Sequence, residues 1–156
     1  RPELFVNHLD FIFTVNDATF IDLFEARKII EVGLVALAAE LIDSEQLARM
    51  EKCLKRSAAS VEQPETFLQT DLELHQIIIE AARNRTLALF MSSINQINTA
   101  SRRRTNELSE VRRQTLKDHR AIVTSLKDHD PDAAAMAMRN HLSHVEDKLK
   151  STHKIE

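Results

Sequence analysis

Apolar residues recur three and four positions apart along nearly the whole chain, the spacing of one face of a helix. Between residues 3 and 14 they are Leu4, Phe5, Leu9, Ile12 and Phe13, enough for a short helix. Asn16-Asp17 breaks that pattern and offers an N-cap to the next helix. That helix is long, predicted over about 18–41, with Phe20, Leu23, Phe24, Ile30, Leu34, Val35 and Ala38 on one face. Asp43-Ser44 opens another, about 44–59, with Leu47, Met50 and Leu54 inward. Residues 60–64 read as a loop, and Pro64 suits the first turn of a helix over about 65–82. Asn84 punctuates it, and Leu87, Leu89, Phe90, Ile94 and Ile97 mark a further helix over about 85–104. After a polar break at 105–109 a helix covers about 109–128. Asp128-His129-Asp130-Pro131 is a turn whose proline opens the last helix, about 131–150, and the tail from Ser151 is expected to fray. Six or seven helices on short connections predict one all-α domain over 1–156, an antiparallel bundle.

Composition supports that reading and removes several functions. Gly occurs once, Pro three times, and Trp and Tyr not at all, which favours helices over sheet. The 156 residues are one domain's worth. A net charge of −3 gives no global field that would recruit nucleic acid. The lone Cys53 excludes an internal disulfide and fits a reducing cytosol. No apolar run reaches the ~18 residues of a membrane span. The opening RPELFVNHLD lacks the layout of a signal peptide, so the expected location is cytoplasmic. It starts abruptly, as a chain does when an upstream part has been removed.

Chemistry concentrates in Thr70–Asn84, TDLELHQIIIEAARN. Asp71 and His75 are four apart and share the apolar face of that helix with Phe67, Leu68, Leu74, Ile78, Ile79 and Ala82. A buried charge costs several kcal/mol (roughly) unless paired or bound to a metal. Two more histidines stand on apolar faces. His119 sits among Thr115, Leu116, Ile122, Val123 and Leu126, and His141 among Ala134, Ala137, Met138 and Val145. His119 is 11 residues before Asp130 and His141 11 after it, so an antiparallel hairpin holds both imidazoles at one height. Any one of them alone reads better as a core histidine. Together, Asp71, His75, His119 and His141 are expected to converge as a transition-metal site. His144, one helical step from His141, is either a partner behind the ligands, an effector contact or exposed. His8 and His153 lie near the termini and His129 in a turn.

Arg27 is the second oddity, since it shares an apolar face with Phe20, Leu23, Phe24 and Leu34. Two readings stand: an i,i+4 pair with Glu31, or a clamp on the carboxylate of a small acid that also reaches the metal. The basic segment Ser101–Arg113 carries Arg102, Arg103, Arg104, Arg112 and Arg113 with no aromatics for base stacking. It reads as a solvated helix end.

Three segments carry a family resemblance: LFEARKIIE (23–31), DLELHQIIIEAARN (71–84) and DHRAIVTSLKDHDPDAAAMAMRNHLSHV (118–145). From about Asp17 to Lys150 the chain resembles the C-terminal effector-binding (FCD) domain of GntR-type bacterial transcription regulators, the FadR branch. The resemblance implies that Asp71, His75, His119 and His141 bind one divalent metal. It implies that Arg27, in Glu25-Ala26-Arg27, faces the effector, and that Asn84 is a structural helix-end residue. It also implies DNA binding through an N-terminal winged helix-turn-helix. Nothing before Asp17 is long enough to be one: either this is an excised effector domain or the chain never had the reader, and DNA is expected to be reached only through a domain not present here.

The expected function is a metal-dependent sensor of a small carboxylate or hydroxy acid, acting in a homodimer and not as an enzyme. Imidazole suits zinc, nickel, copper or iron, and the carboxylate keeps manganese open; zinc is the expectation. Two rivals are weighed. An HD-type metal hydrolase would use His129-Asp130, but a turn before Pro131 is a poor place for a rigid ligand pair. A purely structural metal would leave Arg27 with Glu31, away from the ion. A ferritin-like di-iron site needs paired Glu-x-x-His motifs, and none occurs. The acid, the operator, the regulated pathway and the dimer surface are not written in these residues.

Overall fold

A computed structural model describes residues 20–153. Among the described residues there are six α-helices and no strand: α1 (Phe20–Leu41), α2 (Ser44–Ala59), α3 (Pro64–Ala81), α4 (Arg85–Asn106), α5 (Ser109–Lys127) and α6 (Pro131–His153). The all-α bundle expected from the periodicity is therefore the fold. The short helix expected over 3–14 lies outside the described residues.

The breaks are made by local chemistry. Asp43 caps α2 in a full capping box, accepting from Gln46 N at 2.8 Å while Gln46 Oε1 accepts from Asp43 N at 3.2 Å. The side chain of Asn84 caps α4 by accepting from Leu87 N at 3.0 Å. Asp130 Oδ1 accepts from Ala133 N at 3.0 Å ahead of Pro131. Arg83 and His129 take left-handed backbone, φ 52° and 51°, just past the ends of α3 and α5. At the tail, α6 continues to His153, with Ser151 Oγ bonded to Lys148 O at 2.8 Å, and the rest of the stretch expected to fray, 154–156, lies outside the described residues.

Ion pairs between neighbouring helices fix the antiparallel order. Arg49–Glu80 and Arg56–Glu73 join α2 to α3, Lys148–Glu110 joins α6 to α5, and Lys28–Glu146 joins α1 to α6. These pairs are partly or largely exposed and set register more than they add stability. Stability comes from the core, where Phe24, Leu34, Leu74, Ile77, Met91, Ile122, Leu126, Met138 and Leu142 are buried in one cluster. α3 runs through the middle, touching α1, α2, α4 and α5. α1 has an unusual polarity. Its inward face carries Arg27 and Glu31, 3% and 2% exposed, while Ile29 on the other side is 76% exposed.

Candidate metal centre

The central helix α3 supplies Asp71 and His75, α5 supplies His119 and α6 supplies His141. All four are buried, and one donor atom from each lies within 4.8 Å of the others. The α5–α6 hairpin sets the height: the His119 and His141 rings, equidistant from the turn, are 4.8 Å apart. His75 completes the triangle at 5.5 Å from His119 and 5.8 Å from His141.

Behind these residues stands a set of charged partners that fixes their orientation. Glu31 Oε1 lies 2.6 Å from His75 Nδ1, and Asp118 Oδ2 lies 3.1 Å from His141 Nδ1. An ionised carboxylate only accepts, so each Nδ1 carries a proton, which leaves Nε2 as the ligating nitrogen when the ring is neutral. Arg102 Nη1 donates to Asp71 Oδ2 at 3.1 Å, and Arg27 Nε to Glu31 Oε2 at 2.6 Å. Asp71 Oδ1 is 3.4 Å from His75 Nε2 and 3.3 Å from His119 Nε2. Those are ion-pair distances without hydrogen-bond aim. His75 Nε2 and both nitrogens of His119 are buried with no hydrogen-bond partner. Unpartnered buried nitrogens are costly, so their convergence on one point needs an explanation.

Protonation favours metal ligation at Asp71, His119 and His141. Burial pushes the His119 and His141 pKa values down, His141 to about 4, which keeps both imidazoles neutral. Burial alone would raise Asp71, but Arg102 and the adjacent histidines hold it well below the usual carboxylate range. Glu31 is likewise held down, by Arg27 and His75 against the effect of burial. His75 moves the other way: burial is the largest single effect and opposes its charge, but Glu31 and Asp71 together raise its pKa. Two neutral imidazoles, a carboxylate and a third imidazole backed by Glu31 suit a borderline divalent cation.

Each sequence-level candidate has a definite place. Asp71, His75, His119 and His141 are brought together. Arg27 pairs with Glu31, and it also lines a cavity of about 10 Å³ together with Asp71, Arg102 and His141. His144 stands behind His141, its Nδ1 2.9 Å from Asp118 Oδ2. His129 and Asp130 serve the turn: His129 Nδ1 meets Ala39 O at 2.9 Å, and Asp130 caps α6. His8 is outside the described residues.

The solvated reading of the basic segment is corrected. Arg102 and Arg112 are each 4% exposed; Arg102 pairs with Asp71, and Arg112 donates to the carbonyls of Val61 and Asn106. Charge density in a linear sequence hides the fact that Asn98, Arg102 and Thr105 share the inward face of α4. Arg103 and Arg113 do face solvent, against Glu65 and Glu62. Sequence reasoning also misses Asp118, although it directly precedes His119 and lies four residues after Gln114, whose Nε2 donates to it at 2.8 Å.

Comparison with known proteins agrees with this architecture. Residues 22–144 match the FCD domain, and the chain belongs to that family. Its relatives are GntR-family repressors. The HTH-type transcriptional repressor NanR of Enterobacter sp. (strain 638) is 28% identical over 123 residues, covering 78% of this chain and 47% of NanR. The galactonate operon transcriptional repressor of Escherichia coli (strain K12) is 28% identical over 127 residues, covering 81% of this chain and 56% of that protein. The chain thus spans about half the length of these curated relatives. Among solved structures, Streptococcus agalactiae GntR superposes with a TM-score of 0.71 at 26% identity, over 81% of this chain and 57% of that one. E. coli McbR/YncC shares the fold, with a TM-score of 0.76 at 15% identity over 84% of this chain and 67% of that one. No described helix is long and apolar enough to cross a membrane.

Proposed function

We propose that this domain is a small-molecule sensor of a GntR-type repressor, built around one divalent transition metal, with zinc first choice and nickel, manganese or iron as alternatives. Asp71, His75, His119 and His141 hold the ion. The observation that carries the reading is that His75 Nε2 and His119 Nε2, both buried with no hydrogen-bond partner, lie 3.4 and 3.3 Å from one oxygen of Asp71. Bound there, the ion supplies a Lewis-acidic anchor with open positions for a small organic acid. Arg27 and Arg102 flank the adjoining cavity and neutralise the acid's remaining charge.

The size of that cavity supports a switching mechanism. About 10 Å³ is room for a single water. A carboxylate or hydroxy acid enters only if α4, α5 and α6 move apart. Acid binding therefore selects a more open bundle, and that shift biases DNA readers attached to a homodimer. The small cavity and the Arg27–Glu31 pair also favour a second reading, a structural metal with no effector. Native mass spectrometry of the purified protein separates the two. Sensing predicts one metal per chain in a dimer, plus an organic acid carried over or taken up on titration. Metal without any acid, across a panel of small carboxylates and hydroxy acids, supports the staple. No metal at all overturns both.

A further inference from the structure

The four clustered residues differ in how they connect to solvent. His75 leads outward to Glu31, which is buried; Asp71 leads to Arg102, which is buried; His119 leads to no hydrogen-bond partner. His141 is the exception. Its Nδ1 meets Asp118, 8% exposed, and Asp118 meets His144, whose side chain is 48% exposed. His144 and Asp118 sit in a cleft of about 350 Å³ between α5 and α6, beside Glu110, Gln114, Asp147 and Lys148. Val111, Thr115 and Val145 form part of the wall of this cleft and also of the small inner cavity that touches Asp71 and His141. Outer cleft and inner site are therefore separated by three side chains.

The lining has a sign. Three carboxylates, an imidazole and one ammonium face the cleft, and the ammonium of Lys148 is already paired with Glu110 at 2.8 Å. Such a mouth attracts a cation and repels an anionic acid. We propose that the α5/α6 cleft is the port by which a divalent transition metal reaches the buried cluster. His144 and Asp118 are its first donors, and Val111, Thr115 and Val145 are the gate. This rests on the metal-centre reading. It adds a route for the ion.

Rates of loading test it. Metal-free protein is mixed with excess Co²⁺ and the rise of ligand-field absorption is followed to its plateau. In the wild-type protein the plateau is one cobalt per chain, reached faster at low ionic strength. His144→Ala loads about tenfold more slowly, and so does Glu110→Gln/Asp147→Asn, since steering by a charged cleft is worth about that factor or more. Glu110→Gln/Asp147→Asn keeps the one-cobalt plateau. Val145→Ala, which thins the gate, loads faster. If wild type binds cobalt and all three variants load at the wild-type rate, the port is wrong and the metal centre stands. If wild type binds no cobalt, the metal centre itself is wrong and the port falls with it.

Discussion

Glu31 Oε1 stands 2.6 Å from His75 Nδ1, while Oε2 of the same carboxylate takes the Nε proton of Arg27 at 2.6 Å. One buried carboxylate thus joins the E-x-R arginine of α1 to the D-x-x-x-H histidine of α3. It fixes the tautomer of His75 and leaves Nε2 free to ligate. Glu31→Gln keeps the shape but places an amide in a site where Arg27 and His75 both need an acceptor. Metal affinity is expected to fall about 10–100-fold, as losses behind a metal ligand do. Competition against a chelator of known affinity measures it, and an unchanged dissociation constant would remove Glu31 from the site.

Arg102 holds Asp71 in the same way, at 3.1 Å with both side chains buried. Arg102→Met leaves an uncompensated carboxylate in the interior, a loss of about 3–5 kcal/mol in the metal-free protein. A bound cation restores positive charge beside Asp71, so the loss shrinks when zinc is present. Urea unfolding in EDTA and in zinc gives the two values. Equal losses under both conditions would mean that Arg102 and the ion do not share Asp71.

Helix limits are legible in the sequence because capping and breaking are local: Asp43, Pro64, Asn84 and Asp130-Pro131 act within a few residues of themselves. The clustering of Asp71, His75, His119 and His141 is legible because an i,i+4 pair and a symmetric hairpin are also short-range geometry. The residues behind them are not. Glu31 meets His75 across 44 positions, and Arg102 meets Asp71 across 31. Such pairings depend on how α1 and α4 pack on α3, which no period along one helix states. Arg102 is further masked by its basic neighbours, of which Arg103 does face solvent.

Gly33 offers a simple test of the exposed side of α1. A Cβ added there meets nothing within 4 Å, and its backbone is helical. Gly33→Ala should stabilise the protein by about 0.4–1 kcal/mol through the lower entropy of the unfolded chain. A higher urea midpoint with an unchanged slope is the expected result. A loss of stability would show that something outside the chain packs closely on that face.

Cys53 sets a pH limit on the alkaline side. It is 1% exposed and its Sγ donates to Thr70 O at 3.1 Å; burial, with Glu73 nearby, pushes the thiol up to about 11 from 9.0. The folded protein keeps a proton that the unfolded chain has released. Its contribution is therefore full below about pH 9 and is lost as pH rises through about 11. Against Cys53→Ala, wild type should lose stability more steeply across that window, and at pH 8 the native thiol should resist disulfide reagents until urea unfolds the chain. Parallel stability curves for the two proteins would show that the thiol does not titrate as placed.

His119 is where stability and metal binding oppose each other. Both its ring nitrogens are buried without a hydrogen-bond partner, a cost of about 1–3 kcal/mol per group that only a ligand can offset. His119→Leu fills similar space without the polar atoms. In EDTA this variant should be as stable as wild type or more so, by about 1 kcal/mol. In zinc it should show neither bound metal nor the rise in melting temperature that binding to the native state confers. His141→Ala should also lose the metal, but it destabilises the metal-free protein as well, because it strips Asp118 of one of its partners. Thermal melts with and without zinc, with metal content measured on the same samples, decide the matter. A His119→Leu variant that melts lower in EDTA and keeps its zinc would place His119 in the packing of the core and outside the metal site.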